Sequence, residues 1–206
     1  MGQSLPVRAA LVMGALLLVG GCTSKPSRFY VLSAIPQVET ASVTRTSPQT
    51  PIIGVGPVTL PRYLDRPQIV TRYGPHELQL AEFDRWAEGL DTNFTRVLGE
   101  NIAQLLPTAQ VVTHPWPRAT PLDYQVMVEV THFLGQAGGE SLLMADWTLF
   151  KGEGQQVLVS GKSRLSAPVV SEDYAAMVAA MSQTLADLGR EVASAARSLG
   201  PRASRR

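Results

Sequence analysis

The chain is poor in the residues that usually carry chemistry. It has one cysteine, three histidines and few aromatic side chains. One cysteine permits no intrachain disulfide. His76, His114 and His132 are scattered, none paired at helical i, i+4 spacing, so no metal site is expected. Neither sign of charge dominates, with 18 basic against 17 acidic residues, which argues against nucleic acid, whose binders carry a basic patch. The longest apolar run, residues 9–22, is shorter than the roughly 20 residues that a membrane-spanning helix needs. Catalytic patterns are missing as well. There is no Gly-x-Ser-x-Gly elbow. Gly161-Lys162-Ser163 looks like the end of a phosphate-binding loop, but Gln156 stands where its first glycine belongs. Gly54-Val55-Gly56 has Thr59 in place of the third glycine of a dinucleotide fingerprint. Glu82, Asp84 and Glu88 lie beside Arg85 and read as paired charges rather than an acid/base couple. The expectation is a non-enzyme.

What is present begins with that apolar run. Arg8 and the amino terminus precede it and small residues close it, the pattern of a secretory signal. Its end, Val19-Gly20-Gly21-Cys22, resembles a bacterial lipobox. Gly20 and Gly21 give the peptidase room at the scissile bond, and the Cys22 thiol is the nucleophile that receives lipid. The only expected non-protein group is therefore covalent lipid on Cys22, palmitate included, with no cofactor or metal. Each buried methylene contributes about 0.8 kcal/mol, so several acyl chains anchor permanently. Thr23 stands where lipoproteins retained at the inner membrane resemble one another in having Asp. The expected location is the outer membrane, facing the periplasm.

Four segments follow: a signal peptide over 1–21, a lipidated tether over 22–28, one domain over 29–200 and a basic tail over 201–206. Arg8 leaves with the signal, so the mature charges balance. Arg202, Arg205 and Arg206 make either a solvated end or a contact to anionic headgroups. Residues 23–28 reach at most about 20 Å, which keeps the domain close to the membrane.

Within the domain, residues 29–32 read as a first strand, and the Ser-, Thr- and Pro-rich stretch 33–51 as a flexible loop. Residues 52–60 form a strand whose glycines mark a bulge or close backbone approach. A proline-bounded corner at 61–67 precedes a hairpin of 68–73 and 77–83 around Gly74-Pro75. In its second arm Leu78 and Leu80 alternate with polar or small residues, a half-buried pattern. Leu90, Phe94, Val97, Leu98, Ile102 and Leu105 make one apolar stripe of a helix from about 86 to 106, stopped by Pro107. A short strand at 110–114 follows. Residues 124–134, 142–151 and 155–165 then form an antiparallel meander with glycine turns. A second stripe from Tyr174 to Leu199 predicts a helix over 172–199. The class is α+β in two layers, a largely antiparallel sheet with two long amphipathic helices packed on one face.

Two stretches stand apart. The corner Leu60-Pro61-Arg62-Tyr63-Leu64-Asp65-Arg66-Pro67 offers Tyr63 and Leu64, and the junction Phe83-Asp84-Arg85-Trp86 offers Arg85 and Trp86. Trp and Arg anchor interfaces, while a Trp at such a junction also serves as a core plug. Both readings stand for Trp86 and Tyr63. The candidate partner interface is Tyr63, Leu64, Arg85 and Trp86. Met177 and Met181 suit a pliable slot for an acyl chain or plain core.

With these residues in view, the chain resembles the PqiC-like ABC-type transport auxiliary lipoproteins. The resemblance rests on the lipobox, Tyr30-Val31-Leu32, the run Leu60–Val70, Arg85-Trp86-Ala87-Glu88 and Trp147. Gly89 departs from the rigid residue expected at the helix start. The resemblance implies a non-enzymatic outer-membrane component of a lipid transport system. Its partners would be an MCE-domain periplasmic conduit and that conduit's inner-membrane partner. A hexameric conduit would favour a homo-oligomeric ring, which the residues do not establish. The alternative is a carrier holding an acyl chain between sheet and helices.

Overall fold

Alternation of apolar and polar residues builds three long strands that carry the sheet. The structure is a computed structural model and describes residues 25–36 and 50–199. The signal run, Cys22 and the tail 201–206 lie outside the described residues. The strands are β1 Arg28–Tyr30, β2 Ile52–Thr59, β3 Gln68–Arg72, β4 Leu78–Trp86, β5 Gln110–Thr113, β6 Tyr124–Gly135, β7 Glu140–Lys151 and β8 Gln156–Pro168. The helices are α1 Leu90–Leu105 and α2 Tyr174–Ser198, with a 3-10 turn at Arg62–Leu64.

The meander is as expected: β6 pairs β7 and β7 pairs β8, both antiparallel. The other edge of β6 is shared. Its first half takes β2, its last residue Gly135 takes Thr71 of β3, and both pairings are parallel. Outside them, β5 lies parallel to β2, β4 antiparallel to β3, and β1 parallel to β4. The α+β class holds; the sheet is mixed, its long central pairings antiparallel and its flanking ones, β3–β4 apart, parallel. The flanking strands arrive by crossovers, a long-range arrangement that alternation within each strand does not encode.

On β7 the side chains Ser141, Leu143, Ala145, Trp147 and Leu149 are buried in strict alternation. The helices cover this face: α2 packs on β6, β7 and β8, and α1 on β2, β5 and α2. On β6, Val126, Val128 and Val130 are buried, then a register shift brings Phe133 inward, edge-on to Phe94 of α1 at 5.3 Å. Met177 and Met181 are fully buried with Leu185 and Leu188. The slot imagined between sheet and helices is filled by side chains. The Asp173 carboxylate accepts a hydrogen bond from the Ala176 N–H at 2.7 Å and caps α2.

Two expectations are corrected. The helix placed from Trp86 begins at Leu90, because β4 continues through Trp86, whose N–H donates to Pro67 O at 2.7 Å. Leu78 and Leu80 are exposed rather than half-buried. A bulge between the Leu80 and Arg85 pairings changes the phase of β4, and burial passes to Ala81, Asp84 and Trp86.

The glycines of β2 show both features expected of them: a register shift between Val55 and Val58, and a close approach of Leu122 to Gly54. Gly161 is a stricter case. A Cβ there would lie 2.4 Å from the Trp147 indole. Gly161→Ala is expected to cost about 1–3 kcal/mol by overpacking, lowering the melting temperature by about 2–4 °C per kcal/mol for a chain of this size. Gly74→Ala, whose added methyl would be 3.9 Å from its nearest neighbour, should be close to neutral. Thermal unfolding of the two variants side by side checks this; equal melting temperatures would contradict the packing.

Candidate functional site

Three residues of strand and a short extended segment fix the amino-terminal chain to the domain. Arg28, Phe29 and Tyr30 pair with Asp84, Arg85 and Trp86. The Tyr30 hydroxyl donates to Asp84 Oδ1 at 2.7 Å, and Arg28 Nε donates to the same oxygen at 2.8 Å. The Tyr30 ring lies 6.3 Å from that of Tyr174 on α2. Burial, then the bond to Asp84, pushes the Tyr30 hydroxyl up to about 12.

Beyond β1 the backbone has no ladder partner, and side chains replace one. The Leu32 N–H donates to Asn93 Oδ1 at 2.7 Å, and Asn93 Nδ2 donates to Glu88 at 2.7 Å. The Ser33 N–H donates to Ser182 Oγ at 3.1 Å, and the Ile35 N–H to Asn101 Oδ1 at 2.9 Å. Asn93 and Asn101 are themselves buried in α1. A buried N–H must be paired, and here the helices supply the acceptors. Residues 33–36, expected as the start of a flexible loop, are therefore held by the helix pair, whereas 37–49 lie outside the described residues. The available signal was two asparagines beside the apolar stripe of α1.

The corner and the junction prove to be one place. Pro67 accepts from the Trp86 N–H, and Gln68 pairs with Arg85. Within it the four candidates divide. Leu64 is 3 % exposed and Trp86 5 %, so both are core side chains and offer no surface to a partner. Tyr63 and Arg85 are half-buried and keep a surface. Burial raises the Tyr63 hydroxyl, opposed by Arg72. The Arg85 Nε is buried without a partner. Arg62 and Arg66 stand exposed beside them.

Trp147 explains the Gly161-Lys162-Ser163 run. Its indole lies over Gly161, and its Nε1–H donates to Ser163 Oγ at 3.0 Å. Ser163 in turn donates to the Glu191 carboxylate of α2. Lys162 points away and pairs with Asp146 at 2.8 Å. His76 is exposed, and His114 stacks edge-on with Trp116 at 5.2 Å. His132 is half-buried, its imidazole held below the usual value by burial and then by Arg72 and Arg164. Among the described residues no group of His, Cys, Asp and Glu could hold a metal.

The described side chains thus fix the amino-terminal chain to the domain and leave one corner with Tyr63 and Arg85 at the surface. The family model for the ABC-type transport auxiliary lipoprotein component matches residues 30–193. The chain belongs to that family. It is similar to the intermembrane transport lipoprotein PqiC of Escherichia coli strain K12, 27% identical over 188 residues, covering 88% of this chain and 96% of that protein. PqiC of Shigella flexneri matches to the same extent. Among solved structures, protein XCC0632 from Xanthomonas campestris superposes with a TM-score of 0.62 at 19% identity, covering 83% of this chain and 98% of that one. A further crystal structure of an uncharacterized protein gives a TM-score of 0.67 at 20% identity, covering 82% and 98%. These two share the fold.

Trp86→Ala should destabilise the domain by about 3–5 kcal/mol, the cost of emptying a core site. Tyr63→Ala should cost about 1–2 kcal/mol. Urea unfolding of the two variants separates core from surface, and equal losses would contradict the division. Tyr30 also makes stability pH-dependent. Its hydroxyl is held protonated above its ordinary value, so its contribution is complete below about pH 10 and falls as pH rises towards 12. Between pH 8 and pH 11.5 the unfolding free energy should fall more steeply above pH 10 in the native protein than in Tyr30→Phe, where the raised hydroxyls of Tyr63 and Tyr174 keep part of the fall. Parallel curves would show that the hydroxyl is not so held.

Proposed function

We propose that this protein is a lipid-anchored outer-membrane subunit of an MCE/ABC-type intermembrane lipid transport system. It docks the periplasmic conduit at the outer membrane and so supports membrane integrity. The observation that carries the reading is the extent of the likeness. The family match runs from Tyr30, the first clamped side chain, to Ala193 in the last helix, and PqiC aligns over almost its whole length. The order of the chain fits an anchored adaptor. Cys22 carries the acyl chains, Lys25 lies three residues further on, and β1 starts at Arg28. The domain is thus held within a short reach of the bilayer. Tyr63 and Arg85, with Arg62 and Arg66 around them, are the surface assigned to the conduit. The carrier alternative loses its slot, since Met177 and Met181 are buried in the core.

The test is purification of the full-length protein from its own membranes in mild detergent. An MCE-domain protein and its inner-membrane partner are expected to accompany it, with lipid on the Cys22 peptide. Tyr63→Ala with Arg85→Ala should lower their recovery while the domain still unfolds cooperatively well above the assay temperature. Recovery of the lipoprotein alone, or unchanged association in the double variant, would count against the partner or the surface respectively.

A further inference from the structure

Five parts of the chain meet at one end of the sheet, and the pairings alone show it. Strand β3 runs parallel to β6, with Thr71 beside Gly135, so the β3–β4 hairpin and the β6–β7 turn project the same way. Strand β8 is antiparallel to β7 and finishes at that end too. The Gly138 N–H donates to Ser171 O at 3.3 Å, and the Val169 N–H to Gly139 O at 2.9 Å, joining the turn to the connector before α2. Strand β1 runs parallel to β4 alongside its last three residues, so the amino-terminal chain approaches from the hairpin side, and the Tyr30 ring meets Tyr174 next to the connector. A cavity of about 330 Å³ lies among these parts, lined by Arg72, Tyr73, Gln136, Glu172 and Tyr174.

This end also gathers exposed apolar side chains. Tyr73 is 69% exposed, Leu78 43%, Leu80 47% and Val170 87%. Single exposed apolar residues need no explanation, but several together mark an interaction site. The charges around them are mixed. Lys25, Arg28, Arg72 and His76 stand with Glu77, Glu140, Glu172 and Asp173. What should cover this surface follows from where the chain enters. Lys25 is three positions beyond Cys22, a reach of about 10 Å when extended. Because the chain reaches β1 from the hairpin side, an anchor on Cys22 puts the bilayer on the hairpin side of Arg28.

We propose that the β3–β4 hairpin, through Tyr73, Leu78 and Leu80 and together with Val170 of the connector, rests in the lipid surface as a second membrane contact. The inference rests on the lipoprotein reading of Cys22. Tyr73 suits the headgroup level, where an amphipathic ring has one apolar and one wet side. The leucines provide apolar area for the acyl boundary. Balanced charge makes the contact apolar rather than electrostatic. Two attachments, acyl chains and hairpin, would fix the orientation of the domain and turn the opposite end, with the β7–β8 turn, towards the periplasm.

The acylated chain has no free thiol, so an introduced cysteine takes a label alone. Leu78→Cys, Tyr73→Cys and, at the far end, Val157→Cys would each carry a polarity-sensitive fluorophore in the full-length lipidated protein. The vesicles would be phosphatidylethanolamine with phosphatidylglycerol, containing brominated lipids as quencher. The expected result is a blue shift and loss of most fluorescence at positions 78 and 73, and an unchanged, water-like signal at 157. The effect should persist at high salt and in wholly zwitterionic vesicles. Water-like signals at both hairpin positions, or equal quenching at 157, overturn the proposal. Loss of the contact at high salt overturns its apolar character. Flotation and the mass of the Cys22 peptide separate the two claims. A protein that floats with lipid on Cys22 but has a water-like hairpin loses only the hairpin contact. A protein without that lipid loses both.

Discussion

Asp84 is the residue on which the attachment of the amino-terminal chain depends. It is buried at the edge of the sheet, yet it accepts from both Tyr30 and Arg28. A buried carboxylate without such partners would be costly. Supplied from the entering chain, the same two donors satisfy the charge and bind that chain to β4. Asn93, Asn101 and Ser182 extend the attachment along the next residues by accepting their backbone N–H groups. The entering segment thereby becomes part of the helix–sheet interface. In the proposed anchored protein, the segment that leads to the anchor is thus packed into the domain rather than hung from it.

The rest of the architecture serves this edge. The meander β6–β8 and the paired helices form a stiff body, with Trp147 set over Gly161 and tied through Ser163 to Glu191. The corner after β2 packs Leu64 inward and meets the end of β4 through Pro67 and Trp86. This places Tyr63 and Arg85 on the surface beside β1. The proposed conduit surface and the attachment of the entering chain therefore share one strand, β4.

Much of this was legible in the sequence where a periodic pattern did the work. The meander, both helices and the class follow from alternation and from apolar stripes at three- and four-residue steps. Crossovers left no such trace, which is why the parallel pairings of β1, β2, β3 and β5 were not foreseen. Leu78 and Leu80 misled because alternation tells which residues share a face, not whether that face is covered. Trp86 read as the start of a helix because its apolar neighbours continue the stripe; the bond to Pro67 that keeps it in β4 joins residues distant in sequence. The lipobox and the run Leu60–Val70 pointed to the family, since these are local patterns. The clamp was hidden, because its acceptors lie on helices far along the chain from the amides they serve.

Amide hydrogen exchange over residues 31–36 of the lipidated protein in vesicles tests that attachment most directly. Leu32 and Ile35 lie outside regular structure, and among the described residues their amides are accepted by Asn93 and Asn101. The two amides should exchange as slowly as those of the central strands and be released in Asn93→Ala and Asn101→Ala. Exchange at the rate of an unprotected chain in the native protein would mean that the anchor is joined to the domain by a loose leash.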